Sequence, residues 1–224
     1  MLSDNILSFL FNLQFTVPLP EGVEVMHPFT DAAVQEVCTR FYTRFYNDAQ
    51  PRYCIVGINP GRFGGGVTGI PFTDPVRLQQ QCGIENGWAA RQELSSAFVY
   101  EMIEAFGGVQ AFYRTFYFTA ISPLGFTRGG KNLNYYDDKQ LAAGITPFAV
   151  DCLWQQLGWG LHRTVAFCLG EGENFKYLQK LNKVHSFFEE VVPLPHPRFI
   201  MQYRLKTKDS YIERYLQAFA GVVG

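Results

Sequence analysis

Residues 52–72 read Arg-Tyr-Cys-Ile-Val-Gly-Ile-Asn-Pro-Gly-Arg-Phe-Gly-Gly-Gly-Val-Thr-Gly-Ile-Pro-Phe. The run from Arg52 to Gly57 is apolar and β-prone, which is typical of a buried parallel strand. The glycine-rich segment then begins at the carboxyl end of that strand, where open α/β sheets bind ligands. Pro60 excludes Asn59 from the right-handed helical region, and Pro60 with Gly61 suits the centre of a type II turn. The stretch therefore predicts a binding site with the Asn59 amide on a stiff corner.

Three further apolar runs predict strands, at residues 116–121, 164–169 and 187–192. They alternate with segments of helical periodicity, and parallel strands need such crossover connections. The predicted helices are a first one capped by Ser3, then 31–46, one starting at Asp74-Pro75, 94–106, 137–157 with a break between Gly144 and Pro147, 173–184 and 210–219. The sequence therefore predicts a three-layer α/β/α sandwich with a central four-stranded parallel sheet, in one domain spanning residues 1–224.

The charge composition does not by itself indicate a nucleic-acid partner, because the net charge is −1. Basic residues nevertheless fall in or near predicted loops, namely Arg62, Arg128, Lys131, Arg198, Arg204, Lys206 and Lys208. Each of them taken alone is typical of a solvated surface. Together they indicate a positive charge that is local instead of global.

The five cysteines are far apart, odd in number and without a C-x-x-C pair. They predict neither a disulfide framework nor a structural zinc site, and they fit a reducing, cytoplasmic location. The apolar run at residues 6–15 is interrupted by Asn12 and Gln14, which is typical of an amphipathic helix and not of a signal peptide or membrane span. We expect no metal, no cofactor, no membrane contact and a monomer.

The pattern Gly-Ile-Asn-Pro-Gly-x-Phe-Gly at 57–64, followed by Thr-Gly-Ile-Pro-Phe at 68–72, resembles the first active-site motif of the uracil-DNA glycosylase superfamily. It is most similar to the single-strand-selective monofunctional uracil-DNA glycosylase family, in a bacterial-type branch. The resemblance implies a monofunctional enzyme of base excision repair that flips a nucleotide out of DNA and hydrolyses the N-glycosidic bond of uracil or a modified uracil with water. DNA, single- or double-stranded and carrying a damaged base, is the implied partner. The cysteine pattern points to a branch without an iron–sulfur cluster.

The same resemblance assigns roles within the first motif. Asn59 orients the attacking water, and Phe72 stacks on the extruded base, a contact worth roughly 1–3 kcal/mol. Taken alone, an asparagine before Pro-Gly is often only an Asx-turn residue and a phenylalanine only a core residue, so the surrounding motif carries both assignments. The other substrate-binding candidates here are Gly57, Ile58, Pro60, Gly61, Phe63 and Gly69.

A second motif, Leu-Pro-His-Pro-Arg at 194–198, resembles the family's His-Pro-Ser-Pro-Arg in either of two registers. One places His196 at the base-contacting histidine, and the other places Leu194 there. We favour the first, because only a histidine can donate to the base and stabilise the leaving anion. Asn59 and His196 are then the catalytic candidates, and the DNA-binding candidates are Arg62, Arg128, Lys131, Pro197 and Arg198.

The predicted strand at 116–121 runs into Thr-Ala-Ile-Ser-Pro-Leu at 119–124, which resembles the family in its Pro-Leu. Where the family places an asparagine that reads the Watson–Crick edge of the base, this chain has Ala120. The two hydrogen bonds are therefore missing, or are supplied by Ser122, Thr119, backbone groups or water. The following loop, with Arg128, Lys131, Asn132 and Asn134, is another source of compensation for the missing asparagine.

Two other functions fit parts of the sequence. Residues 64–69 formally match the G-x-G-x-x-G of dinucleotide-binding oxidoreductases, but the strand ends well before the first glycine and Pro71 opposes a phosphate-binding helix there. Ala120 motivates a non-catalytic reader of damaged or single-stranded DNA. The presence of Asn59, Phe72 and His196 together favours an enzyme, and the lack of a lysine in both motifs favours water as the nucleophile.

Overall fold

The computed structural model describes residues 1–222. The strands are β1 (Val23–Met26), β2 (Tyr53–Gly57), β3 (Phe116–Ala120), β4 (Gly125–Arg128), β5 (Lys131–Leu133), β6 (Val165–Leu169) and β7 (Glu190–Leu194). The helices are α1 (Leu2–Phe11), α2 (Ala32–Tyr46), α3 (Gly65–Thr68), α4 (Pro75–Gln80), α5 (Leu94–Phe106), α6 (Gly108–Thr115), α7 (Lys139–Gly144), α8 (Thr146–Leu157), α9 (Glu173–His185), α10 (Pro197–Tyr203) and α11 (Lys208–Ala220).

Four parallel strands form the main sheet, in the order β3-β2-β6-β7. The register places Gly57 beside Ala120 and Leu169 beside Leu194, so the carboxyl ends of all four strands meet at one edge. From β2 the chain first adds β3 on one side and later β6 on the other. This reversal of strand order next to β2 is where ligand crevices form in open α/β sheets.

Helices cover both faces of this sheet, which confirms the predicted three-layer α/β/α fold. Alternate residues of β3 show the two faces. Phe116 packs on Phe219 of α11, with ring centroids 4.4 Å apart, whereas Tyr117 packs on Tyr46 of α2 at 5.9 Å. Because side chains alternate across a strand, a sheet buried on both faces needs the near-continuous apolar strands that the sequence contains.

A second sheet of three antiparallel strands, in the order β1-β4-β5, was not predicted. Its strands are only three or four residues long and include polar side chains, so they are too short for the apolar pattern that marks a strand in a sequence. The β4–β5 hairpin approaches the first motif closely, because a Cβ on Gly125 would lie only 2.5 Å from the Pro60 carbonyl oxygen. This hairpin therefore forms one wall beside the carboxyl edge of the main sheet.

Several element boundaries differ from the prediction. Strand β7 begins at Glu190, later than predicted, because Asn182 binds the backbone N–H and C=O of Phe188, each at 2.8 Å, and holds that residue in a connection. The predicted helix at 137–157 is two helices, and Pro147 lies in the first turn of α8, where its missing N–H is tolerated. The glycine-rich loop contains the one-turn helix α3, and α10 was not predicted.

Across residues 1–222, no helix has both the length and the apolar character needed to cross a membrane. All five cysteines are buried and free. In the same range, no three His, Cys, Asp or Glu side chains are grouped as a metal site would require.

Candidate functional site

A pocket of about 100 Å³ opens at the carboxyl edge of the main sheet. The segment after β2 forms one side of it, the end of β3 and the β4–β5 hairpin form another, and the residues after β7 close it. Its lining includes Gly57, Ile58, Asn59, Pro60, Gly61, Gly65, Gly69, Pro71, Phe72, Glu93, Ala120, Asn132, Asn134, His196 and Arg198. The two motifs, more than a hundred residues apart in the chain, thus meet in one cavity.

The Asn59 amide is fixed by the backbone that follows β5. Its Nδ2 donates to the Leu133 carbonyl oxygen at 3.2 Å and to that of Pro60 at 3.4 Å, and its Oδ1 accepts the Tyr135 N–H at 3.0 Å. These partners determine which end of the amide is oxygen. A carbonyl oxygen accepts two hydrogen bonds, so Oδ1 keeps one lone pair for a further donor.

Tyr135 is itself anchored to the main sheet. Its fully buried hydroxyl donates to Asn174 Oδ1 at 2.9 Å, and Asn174 Nδ2 donates to the Leu169 carbonyl oxygen at 3.0 Å. A chain of hydrogen bonds therefore runs from Asn59 through Tyr135 to the carboxyl end of β6. It makes the amide part of the rigid sheet edge.

Phe72 has a positive φ of 54°, in the left-handed region that a bulky side chain rarely adopts. Its ring lies over Gly57, where an added Cβ would come within 3.1 Å of the Phe72 Cζ atom. The ring centroid is 5.2 Å from that of Phe118 and 6.2 Å from that of His196. Backbone strain of this kind persists where the surrounding structure imposes it, which is common at ligand sites.

His196 caps α10 and lies partly buried beside Phe72. Its Nδ1 accepts the Arg198 N–H at 3.1 Å, so in the neutral ring the proton lies on Nε2. Burial, together with the smaller effect of the Arg198 guanidinium, lowers the pKa of His196 to about 4. The ring is therefore a neutral donor near pH 7. Leu194, the alternative in the second motif, ends β7 as a buried core residue that does not line the pocket.

The corner after Asn59 differs from the predicted turn. Gly61 does not have the positive φ that a type II turn requires at this position. A Cβ on Gly61 would instead lie 2.5 Å from Glu93 Oε1, so this glycine makes room for a carboxylate. Gly69 does have a positive φ, 73°, and a Cβ there would lie 2.7 Å from Val34 Cγ1. Gly61 is thus needed for space beside a carboxylate, whereas Gly69 is needed both for its backbone conformation and for space.

The structure does not bring Phe63 and Ser122 into the pocket. The Phe63 ring faces the guanidinium groups of Arg62, at 4.4 Å, and Arg91, at 5.5 Å. Ser122 is fully buried, and its hydroxyl donates to the Leu124 carbonyl oxygen at 2.7 Å within a tight turn. Phe63 thus faces two guanidinium groups and Ser122 stabilises a turn, so neither of these two predicted substrate-binding residues belongs to the pocket lining.

Ala120 has no side-chain amide where the resembling family has its base-reading asparagine, so the polar groups around it matter. Ala120 and Thr119 both line the pocket, and the Thr119 hydroxyl donates to Gln156 Oε1 at 2.6 Å. Besides Asn59 and Gln156, the amides that line the pocket are those of Asn132 in β5 and Asn134 just after it, in the loop that the sequence indicated as a source of compensation. The Asn132 Oδ1 accepts the Arg62 N–H at 3.0 Å.

The predicted DNA-binding residues fall into different environments. Arg62, Lys131 and Arg198 are exposed, and Arg198 also lines the pocket. Arg128 is bound to Asp138 in an ion pair of 2.5 Å, and Pro197 is buried in the first turn of α10. Sequence reasoning missed Glu93, which precedes α5 and has no motif that marks it.

The comparisons with known proteins agree with this geometry. The family model of the uracil DNA glycosylase superfamily matches residues 43–220, and no curated sequence matches the chain significantly. The crystal structure of wild-type SMUG2 from Pedobacter heparinus is similar over 99% of this chain and 97% of that chain, with 44% sequence identity and a TM-score of 0.96. The matched residues include both motifs and almost every wall of the pocket, so the chain belongs to the uracil DNA glycosylase superfamily.

Proposed function

We propose that the protein is a monofunctional DNA glycosylase that removes uracil or a modified uracil from DNA. The single observation that carries this proposal is the meeting of Asn59, Phe72 and His196 in one pocket at the carboxyl edge of the sheet. Membership of the superfamily and the likeness to SMUG2 support the same activity. The role of each residue follows from the chemistry of glycosidic hydrolysis.

The pocket suits a nucleotide that has been flipped out of the DNA stack. Phe72 offers a ring face to the base. His196 Nε2–H offers a neutral donor to the oxygen on which negative charge grows as the base leaves. Asn59 Oδ1, fixed by Tyr135 N–H, offers its remaining lone pair to the attacking water at the anomeric carbon.

Water, and not an amine of the enzyme, is the nucleophile in this proposal. No lysine is present among the described residues that line the pocket. A lysine nucleophile would form a Schiff base with the sugar, the intermediate from which strand cleavage proceeds. The product is therefore an intact strand with an abasic site.

The DNA backbone lies, in our proposal, against the exposed basic side chains at the pocket mouth. Arg198 lies next to the base pocket, and Arg62 and Lys131 extend the positive surface along the hairpin. Pro197 fixes the start of α10, so that Arg198 projects from a rigid turn. Phosphate contacts of this kind position DNA without reading its sequence.

The test is a single-turnover glycosylase assay on oligonucleotides that contain uracil, 5-substituted uracils, xanthine or hypoxanthine, in single and double strands. We expect free base and an alkali-sensitive abasic site, with no strand break before alkali. Tight binding without release of any base would instead establish the second candidate, a non-catalytic reader of damaged DNA. Ala120 is the observation that favours that candidate, because it lacks the base-reading amide.

Ala120 also allows a test of specificity. Introducing an asparagine, Ala120→Asn, adds an amide at the pocket wall, and a site that hydrogen-bonds its substrate penalises bases that leave its polar atoms unpaired. We expect the ratio of excision rates for uracil over purine lesions to rise. An unchanged ratio in a folded, active variant would show that residue 120 does not contact the base.

A further inference from the structure

Glu93 places a carboxylate in the same pocket. It precedes α5, and its two oxygens lie against Gly61 and Gly64 of the first motif. A Cβ on Gly61 would lie 2.5 Å from Oε1, and a Cβ on Gly64 would overlap Oε2. These two glycines therefore leave room for the carboxylate, which lines the pocket together with Asn59.

The Glu93 carboxylate accepts few hydrogen bonds from the protein. Ser96 Oγ donates to Oε2 at 3.3 Å, and among the described residues no group donates to Oε1. The backbone of Glu93 is nevertheless fixed, because its N–H donates to the fully buried Asp74 at 2.8 Å. A carboxylate that is partly buried with one weak hydrogen bond is costly, and such groups are concentrated at functional sites.

We propose that Glu93 is a further catalytic residue, whose free Oε1 accepts a proton from the attacking water. This inference rests on the glycosylase activity proposed above. Asn59 is a neutral amide, so it can orient the water but cannot take up its proton. Glu93 supplies the base, and its negative charge also stabilises the positive charge that develops on the sugar.

The water oxygen forms a bond to the anomeric carbon while the bond from that carbon to the base nitrogen breaks. The electron pair leaves with the base, where His196 Nε2–H stabilises the anion. One water proton passes to Glu93 Oε1 and returns to solvent after the product forms, while the other remains on the new hydroxyl of the sugar.

The surroundings of Glu93 determine its titration. Burial raises the pKa of Glu93, and Asp74 at the start of α4 raises it further, whereas the Ser96 hydroxyl and the Arg198 guanidinium of α10 oppose the shift. A base must be ionised to act. The excision rate is therefore expected to fall as the pH decreases through this raised pKa, above the usual range of a glutamate. His196, the other titrating group of the pocket, has a pKa of about 4.

The main experiment compares Glu93→Gln with the wild type in single-turnover excision of uracil over about pH 5 to pH 9, with DNA affinity measured alongside. Glutamine keeps the size of the side chain against both glycines. At high pH we expect the rate to decrease by about 10²-fold, the scale of general-base catalysis. The decrease of the rate at low pH, the acid limb of the profile, should disappear, and the DNA affinity should be unchanged. Glu104→Gln, an exposed position on α5, is the matched control and should behave like the wild type.

A second variant decides the matter if Glu93→Gln fails to fold. Ser96→Ala removes the hydrogen bond that favours the ionised carboxylate, so the acid limb should move to higher pH. Two results would overturn the proposal and leave Glu93 as packing for the loop. One is a pH profile of Ser96→Ala whose decrease at low pH occurs at the same pH as in the wild type. The other is a Glu93→Gln variant with a rate within twofold of the wild type and the same pH profile. A wild-type protein that releases no base would instead contradict the proposed function itself.

Discussion

His196 is neutral in the folded protein because burial and Arg198 disfavour its charged form. In the unfolded chain its pKa returns to about 6.5. Between that value and the folded pKa of about 4, the unfolded state binds more protons than the folded state. The free energy of unfolding therefore decreases as the pH falls through this window, and the contribution is lost fully below it.

The variant His196→Gln keeps a polar side chain without this titration. We expect the stability advantage of the wild type over the variant to shrink between about pH 7.5 and about pH 5, because only the wild type carries a histidine that protonates on unfolding. Urea denaturation at both pH values measures the difference. An advantage that stays constant or grows at the lower pH would mean that His196 is charged in the folded state.

At the scale of elements, the end of β5 and the segment after it hold the Asn59 amide in place. They bind both ends of the Asn59 side chain and are anchored to β6 through the Tyr135 hydroxyl and Asn174. This segment thus supports the proposed active site, although it contributes no catalytic side chain in our proposal.

Tyr135→Phe tests this anchor. The change leaves the Tyr135 N–H on Asn59 but leaves the buried Asn174 oxygen without its donor, which costs about 1–3 kcal/mol of stability. We expect that loss in chemical denaturation, together with slower excision at unchanged DNA affinity. Tyr136→Phe is the matched control, since among the described residues its hydroxyl has no hydrogen-bond partner. Equal stabilities for the two variants would show that the anchor does not contribute.

The main sheet was predictable because strands such as β2 and β6 are buried on both faces and read as apolar runs. The antiparallel sheet was not, because short and polar strands such as β5 are specified by their neighbours. Within the site, the two sequence motifs predicted Asn59, Phe72 and His196. Glu93 is defined only by the fold, which brings the start of α5 against two glycines that precede it by about thirty positions in the chain.

At the scale of the whole molecule, the charge is balanced, and the positive groups that face the pocket are few. Since a net charge of −1 gives no overall attraction to DNA, we expect the exposed Arg62, Lys131 and Arg198 to account for much of the salt dependence of binding. Arg128 is less available to phosphate because Asp138 holds its guanidinium.

Lys131→Ala is expected to weaken DNA binding and to lower the magnitude of the slope of log affinity against log salt by about 0.7 on a single strand, the value for one lost phosphate contact. Fluorescence anisotropy at several salt concentrations measures the slope. Lys180→Ala provides the control, because it lies on α9, none of whose residues line the pocket. If the two variants share the wild-type slope, DNA does not lie along the hairpin.

In our proposal, the Asn59 amide just after β2 positions the water that cleaves the glycosidic bond. The most direct test is the single-turnover rate of uracil release by Asn59→Ala beside the wild type, with Asn12→Ala, an exposed asparagine outside the pocket, as control. Loss of positioning predicts a decrease of about 10²-fold or more, with DNA affinity nearly intact. Wild-type excision by a folded Asn59→Ala protein would contradict the account.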